Sequence, residues 1–117
     1  MKHSMVTVLT GVVGSGKTTF LKQFFNINLG TLLQVLTPTQ PHQPLDILSA
    51  DWDNHAFIAI DEVLMWDRAT APTAIAALEK EAVARGKKLI LITQLRDDLA
   101  GAGIHLTSNP VYLDLSR

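Results

Sequence analysis

Apolar and polar positions along the chain fall into short blocks whose period changes several times. Val6 to Leu9 is a compact apolar run rich in β-branched residues and predicts a buried strand over 5–10. Over about 17–26 the spacing becomes helical, with Phe20, Leu21, Phe24 and Phe25 on one side and Asn26, Asn28 and Gly30 as stop signals. Leu32 to Leu36 reads as a second short strand. Prolines 38, 41 and 44 then forbid a regular helix or a central strand, so 37–44 reads as a surface loop close to an approaching substrate or partner. Leu45 to Leu48 suits one helical turn, and 51–54 a turn anchored by Trp52.

Ala56 to Ile60 is a third apolar strand, ending in Asp61 and Glu62. Pro72 suits the first turn of a helix, with Thr70 as its cap and Gly86 as its stop near Arg85; Ile75, Leu78, Ala82 and Val83 supply its apolar face. Lys88 to Thr93 is the fourth strand, followed by Gln94. A short helix is expected over 95–100, loosened by Gly101 and Gly103, and a fifth strand over 111–115. Strands alternating with helices predict an α/β domain, with a mainly parallel five-stranded sheet covered by helices on both faces.

A length of 117 residues sets the expectation of one domain over 1–117. Hydrophobic content of 47 % and charged content of 18 % are globular values. A net charge of −1 gives no overall basic footprint, so any nucleic-acid contact must come from a local patch. With no cysteine there is neither disulfide nor thiolate metal site, which suits a cytoplasmic protein. The apolar runs are far shorter than the roughly 20 residues a membrane span needs. The first strand follows Met1 to Ser4 so closely that no signal peptide is expected.

The chemistry begins where the first strand ends. Gly11-Val12-Val13-Gly14-Ser15-Gly16-Lys17-Thr18 matches G-x-x-x-x-G-K-[ST], followed by Thr19 and the helical pattern. Gly14 and Gly16 let the backbone turn its N–H groups around a phosphate, where a Cβ would obstruct. Lys17 has the reach for β- and γ-phosphates, Thr18 has a hydroxyl for Mg²⁺, and the positive end of the following helix adds to the anion field. Chance would produce these fixed positions in roughly one chain of this length in a few hundred; the strand before and the helix after make chance rarer still. A phosphate-binding P-loop is the expectation.

Ligands of an open parallel sheet bind beyond the carboxyl ends of its strands. Three such ends carry polar residues here: the P-loop, Asp61-Glu62 and Thr93-Gln94. Apolar residues followed by an acid form the Walker B pattern. Asp61 would hold Mg²⁺ through water, Glu62 would orient or deprotonate the attacking water, and Gln94 would hydrogen-bond that water or the γ-phosphate. Against this stands the plainer reading of an acid pair as a helix cap with a solvated neighbour. His3, His42, His55 and His105 show no metal-ligand spacing. Trp52 and Trp66 read as structural, and Arg85, Lys87 and Lys88 as an ordinary basic helix end.

With GVVGSGKTT at 11–19, FIAIDE at 57–62 and ARGKKLILITQ at 84–94, the chain resembles the P-loop ATPases that insert an extra strand and pair a catalytic Glu with the Walker B Asp. Within them it is most similar to the FtsK/HerA group, which includes conjugative coupling proteins and Zot-like phage proteins. The resemblance implies a Mg-ATP site in which Lys17, Thr18, Asp61, Glu62 and Gln94 take the family's roles and Thr19 touches the α-phosphate. It implies that the Gln94 strand lies between the other two. It also implies a homo-oligomer completed by an arginine from a neighbouring subunit, for which Arg68, Arg96 and Arg117 are candidates. The expected role is an ATPase in DNA transfer, packaging or mobile-element biology, without membrane insertion. Two alternatives stay open: a nucleotide-dependent switch or adaptor with little turnover, and a small nucleoside or nucleotide kinase. The kinase reading is weakened because 37–45 lacks the arginines of a phosphate-clamping lid.

Overall fold

A computed structural model of the chain describes residues 6–11, 33–94 and 97–114. The helix expected over 17–26 and positions 12–20 of the glycine-rich stretch lie outside the described residues. The described strands are β1 (Val6–Thr10), β2 (Leu33–Leu36), β3 (Phe57–Ile60), β4 (Lys88–Thr93) and β5 (Val111–Asp114). They form a five-stranded sheet of order β2-β3-β4-β1-β5, and every pairing is parallel. β4 therefore lies between β1 and β3.

Alternation along each strand divides the core into two faces. Val6 and Val8 of β1, Ile58 and Ile60 of β3, and Leu89 and Leu91 of β4 are buried on one face. The helix α1 (Ala71–Arg85) lies over them, with Ala71, Ala74, Ile75, Leu78 and Ala82 in contact. Leu9, Leu33, Ala59, Ile90 and Ile92 are buried on the other face. A strand buried on both faces needs apolar residues at consecutive positions, which is why β4 reads LILI without alternation. Each such side chain contributes about 1.5–3 kcal/mol by leaving water. Among the described residues, the helices lie on the first face; the helix expected over 17–26 lies outside them.

α1 begins and ends where anticipated, with two differences inside. Pro72 sits in the first turn, where its missing N–H is no loss. Thr70 holds the cap position, yet its hydroxyl donates to the Asp67 carboxylate (2.9 Å) instead of capping the helix. At the far end Gly86 adopts a left-handed φ of 67°. The Gly86 N–H donates to Val83 O (3.3 Å) and the Lys87 N–H to Ala82 O (2.9 Å), a Schellman closure that favours glycine. Ile75, Leu78 and Ala82 of the expected apolar face are buried, and the fourth position differs. Val83 is 49 % exposed, whereas Glu79 is only 3 % exposed.

Glu79 is buried because it has work on the helix-covered face. Its carboxylate accepts the backbone N–H groups of Thr107 (2.9 Å) and Ser108 (2.8 Å) and the Thr107 hydroxyl (3.3 Å). These bonds fasten the segment leading into β5. They compensate the burial of a charge that would otherwise be strongly unfavourable.

The remaining connections follow their polar groups. The one turn of helix falls at Ile47–Ser49, slightly later than expected, with the Asp46 side chain accepting from Leu48 N–H (2.9 Å). Gln34 of β2 donates to Ser49 O (2.9 Å) and accepts from Asp51 N–H (2.7 Å), tying this segment to β2. Trp52 anchors the 51–54 turn at 4 % exposure. Lys87 Nζ donates to Trp52 O, and Arg85 bonds Glu81 (2.9 Å) and Asp53 (3.2 Å). Glu81 chiefly, with help from Asp53, raises the Arg85 pKa above its ordinary value. The basic helix end is thus employed in the fold. The short helix after β4 is α2 (Asp98–Gly101), later than expected and including Gly101.

Replacing the buried Glu79 by alanine removes the acceptor of two part-buried N–H groups, those of Thr107 and Ser108. Glu79→Ala is expected to lose about 2–4 kcal/mol of stability, read from urea unfolding, while Glu81→Ala at the exposed face loses under about 0.5 kcal/mol. Equal losses in the two variants would show that the Glu79 anchor contributes nothing particular.

Candidate functional site at the carboxyl edge of the sheet

The parallel registers bring the polar strand ends to one edge. Thr10 of β1 lies level with Thr93 of β4, and Ile60 of β3 with Leu91 of β4. One residue further, the Gly11 N–H donates to both Thr93 O and Gln94 O, each at 3.2 Å. Gly11, which opens the glycine-rich stretch, is thereby joined to the residue proposed to watch the γ-phosphate. On the other flank of β4, Asp61 and Glu62 leave β3. The structure brings Gly11, Asp61, Glu62 and Gln94 to the same edge. Gly14, Ser15, Gly16, Lys17, Thr18 and Thr19 lie outside the described residues, as do Arg96 and Arg117.

Asp61 is the most firmly held of these. Its N–H continues the β2–β3 ladder by donating to Leu36 O (2.9 Å). Its carbonyl accepts the indole N–H of Trp66 (2.8 Å), a side chain only 4 % exposed. Its carboxylate accepts the Glu62 N–H at Oδ1 (2.9 Å) and the Thr37 hydroxyl at Oδ2 (3.4 Å). A carboxylate offers about four acceptor sites, so each oxygen keeps capacity for another donor or a cation.

Glu62 departs from regular backbone. Its φ of 49° and ψ of 57° are left-handed, a conformation unfavourable by roughly 1–2 kcal/mol for a residue with a Cβ. It precedes the 3₁₀ turn Val63–Met65, and Met65 N–H donates to Glu62 O (2.8 Å). The helix-cap explanation fails for its side chain, which makes no capping bond. The carboxylate is half-buried and has no hydrogen-bond partner among the described residues. Gln94 is exposed, and its side chain is likewise without a partner among them.

Both tryptophans are structural, as read from the sequence. Sequence reasoning missed the roles of Thr37 and Trp66 around Asp61, and that of Asp98, whose carboxylate accepts the Thr93 hydroxyl (3.2 Å). The signal for Thr37 was available: a hydroxyl residue at a strand end directly before a proline. Among the described residues no group of three or more His, Asp or Glu side chains is placed to hold a metal by itself. A cleft of about 250 Å³ beside α2 and β5, lined by Asp97, Leu99, Ile104, His105 and Tyr112 among others, includes none of the candidate residues. Arg68 is exposed in the segment after the acid pair. No described helix is long and apolar enough to cross a membrane. Compared with known proteins, the chain matches no protein-family model and no curated protein sequence.

The left-handed Glu62 yields a stability test. Glu62→Gly relieves the backbone whereas Glu62→Ala keeps the Cβ, so the glycine variant is expected to be the more stable of the two by about 1 kcal/mol. Chemical denaturation measures the difference. An alanine variant at least as stable as the glycine variant would remove the strain from the account.

Proposed function

We propose that the chain is a P-loop nucleotide-binding domain that binds Mg-ATP at the carboxyl edge of its sheet and hydrolyses it. The observation that carries this reading is the strand order. β4 lies between β1 and β3, so the glycine-rich stretch, Gln94 and the acid pair leave neighbouring strands on one edge. The sequence GVVGSGKTT supplies the phosphate-binding chemistry next to Gly11.

The roles follow from residue chemistry. Backbone N–H groups of Gly14, Ser15 and Gly16 cradle phosphate oxygens, and Lys17 neutralises charge on the β- and γ-phosphates. Thr19 contacts the α-phosphate. Thr18 and, through water, Asp61 would hold Mg²⁺, which would supply neutralisation of phosphate charge. Glu62, with an uncommitted carboxylate, orients the attacking water and accepts its proton. Gln94 hydrogen-bonds that water or the γ-phosphate. In keeping with the FtsK/HerA resemblance, the domain works as a homo-oligomer in a DNA-transfer, packaging or mobile-element process, with Arg68, Arg96 or Arg117 acting on the neighbouring subunit's nucleotide.

Binding and turnover are tested separately. Mg-ATP at about 100 times its Kd should add about 2.7 kcal/mol of stability and raise the melting temperature, and Lys17→Ala should remove most of that shift. Equal shifts in the two proteins reject the P-loop assignment. Glu62→Gln should keep the shift and lower phosphate release by about 10²–10⁴-fold, whereas Asp61→Ala should weaken Mg-ATP binding itself. Turnover by Glu62→Gln at the wild-type rate removes Glu62 from the chemistry. Specific activity that rises with protein concentration or with added DNA supports the oligomeric role, and a concentration-independent monomer indifferent to DNA rejects it.

A further inference from the structure

We infer that Thr37 is a positioning residue for the metal-holding carboxylate of Asp61; this rests on the Mg-ATP reading above. The sequence around Thr37 is built to deliver one hydroxyl to one place. Leu36 pairs with Ile60 at the end of the β2–β3 ladder, and Asp61 N–H adds one more rung by donating to Leu36 O (2.9 Å). Thr37 is therefore the next residue of β2's chain beside Asp61. By alternation both positions follow the face of Leu33, Val35 and Ala59.

Pro38 makes this placement definite. A residue before proline is pushed away from the helical region towards extended backbone, so Thr37 is biased to continue the direction of β2. Proline also has no N–H to prolong the ladder, so regular pairing stops there. Pro38 is itself buried, which fixes the chain just after Thr37. The β-branched Thr37 side chain has few χ1 choices, and the one present aims its hydroxyl at Asp61 Oδ2 (3.4 Å).

The result is a carboxylate held at both oxygens by donors of different origin. Oδ1 takes the Glu62 N–H from its own chain, and Oδ2 takes the Thr37 hydroxyl from the neighbouring strand end. Trp66 fixes the Asp61 backbone from the helix-covered face. With one donor per oxygen, the side-chain torsions of Asp61 are set before any cation arrives, and acceptor sites remain for metal-bound water. Thr37 contacts neither metal nor nucleotide in this scheme; it lowers the reorganisation Asp61 undergoes on Mg²⁺ binding.

The experiment is a thermal-shift titration of the full chain with Mg²⁺ at saturating ATP, and with ATP in excess chelator, for wild type, Thr37→Val and Thr37→Ser. Thr37→Val keeps the shape and removes the hydroxyl at an exposed position. It is expected to raise the Mg²⁺ concentration at half-effect by about threefold to tenfold. The shift given by metal-free ATP should not change. Thr37→Ser should return the Mg²⁺ midpoint towards wild type. A Thr37→Val midpoint equal to wild type, with the wild-type shift present, overturns the positioning role and leaves the Mg-ATP reading standing. Equal losses with and without Mg²⁺, or failure of serine to restore the midpoint, assign Thr37 a structural role only and overturn the inference. Absence of any Mg-ATP shift in wild type overturns the functional reading and this inference with it.

Discussion

Parallel hydrogen bonding of β4 to β1 on one side and β3 on the other is the constraint on which the rest depends. Parallel strands cannot be joined by tight turns, so each connection must run the length of the sheet before the chain re-enters. All strands then finish on one edge. The same pairing puts β4 in the interior, out of water on both faces, so its sequence is a continuous apolar run that ends abruptly at Thr93 and Gln94. Polar groups placed there meet those leaving β1 and β3 without any long-range folding instruction beyond strand order.

The acid pair shows how that edge departs from local preference. β3 is regular to Ile60, and Asp61 still makes its ladder bond. Glu62 then takes a left-handed conformation that neither its residue type nor a capping bond favours. Such strain persists only where surrounding bonds over-determine it. Here the Glu62 N–H is engaged by Asp61 Oδ1 and its carbonyl by Met65 N–H, while Trp66 binds the carbonyl of Asp61. Local preference is overridden in the same way at His42 and Asn109, the other left-handed non-glycine residues among those described.

β1, β3 and β4 were legible as short apolar runs, too short for helices and almost wholly buried, whereas β2 and β5 are largely open to water. Lys88–Thr93 appears with the boundaries expected, and the helix stop at Gly86 follows from a left-handed cap that glycine accepts most easily. The parallel character followed from alternation of strands and helices. What escaped sequence reasoning was the features decided by one particular polar partner. Glu79 takes the buried place that hydrophobicity would give to Val83 because Thr107 and Ser108 need an acceptor. Thr70 turns to Asp67, and Thr37 to Asp61, for equally non-periodic reasons. At the candidate site, Asp61, Glu62 and Gln94 could be named from their strand ends, but the indole of Trp66 that holds the Asp61 carbonyl could not.

The proline-rich loop belongs to the same account. It has no regular structure, yet its polar groups are paired with the segment that follows the acid pair. Gln43 accepts from the Thr39 N–H and hydroxyl with its side chain (2.9 Å each), and its carbonyl accepts the Asp67 N–H (2.9 Å). His42, another left-handed residue at φ 61°, donates its N–H to Met65 O (2.7 Å). Met65 in turn donates to Glu62 O, so the two left-handed residues are linked through one peptide-bonded residue. Relaxing either backbone would disturb its own bond to Met65. Prolines at 38, 41 and 44 narrow the conformations open to the loop before folding, which lowers the entropy lost in ordering it. The loop is thus a second support for the acid pair: Thr37 acts on the carboxylate of Asp61, and His42 with Gln43 acts on the turn that holds Glu62.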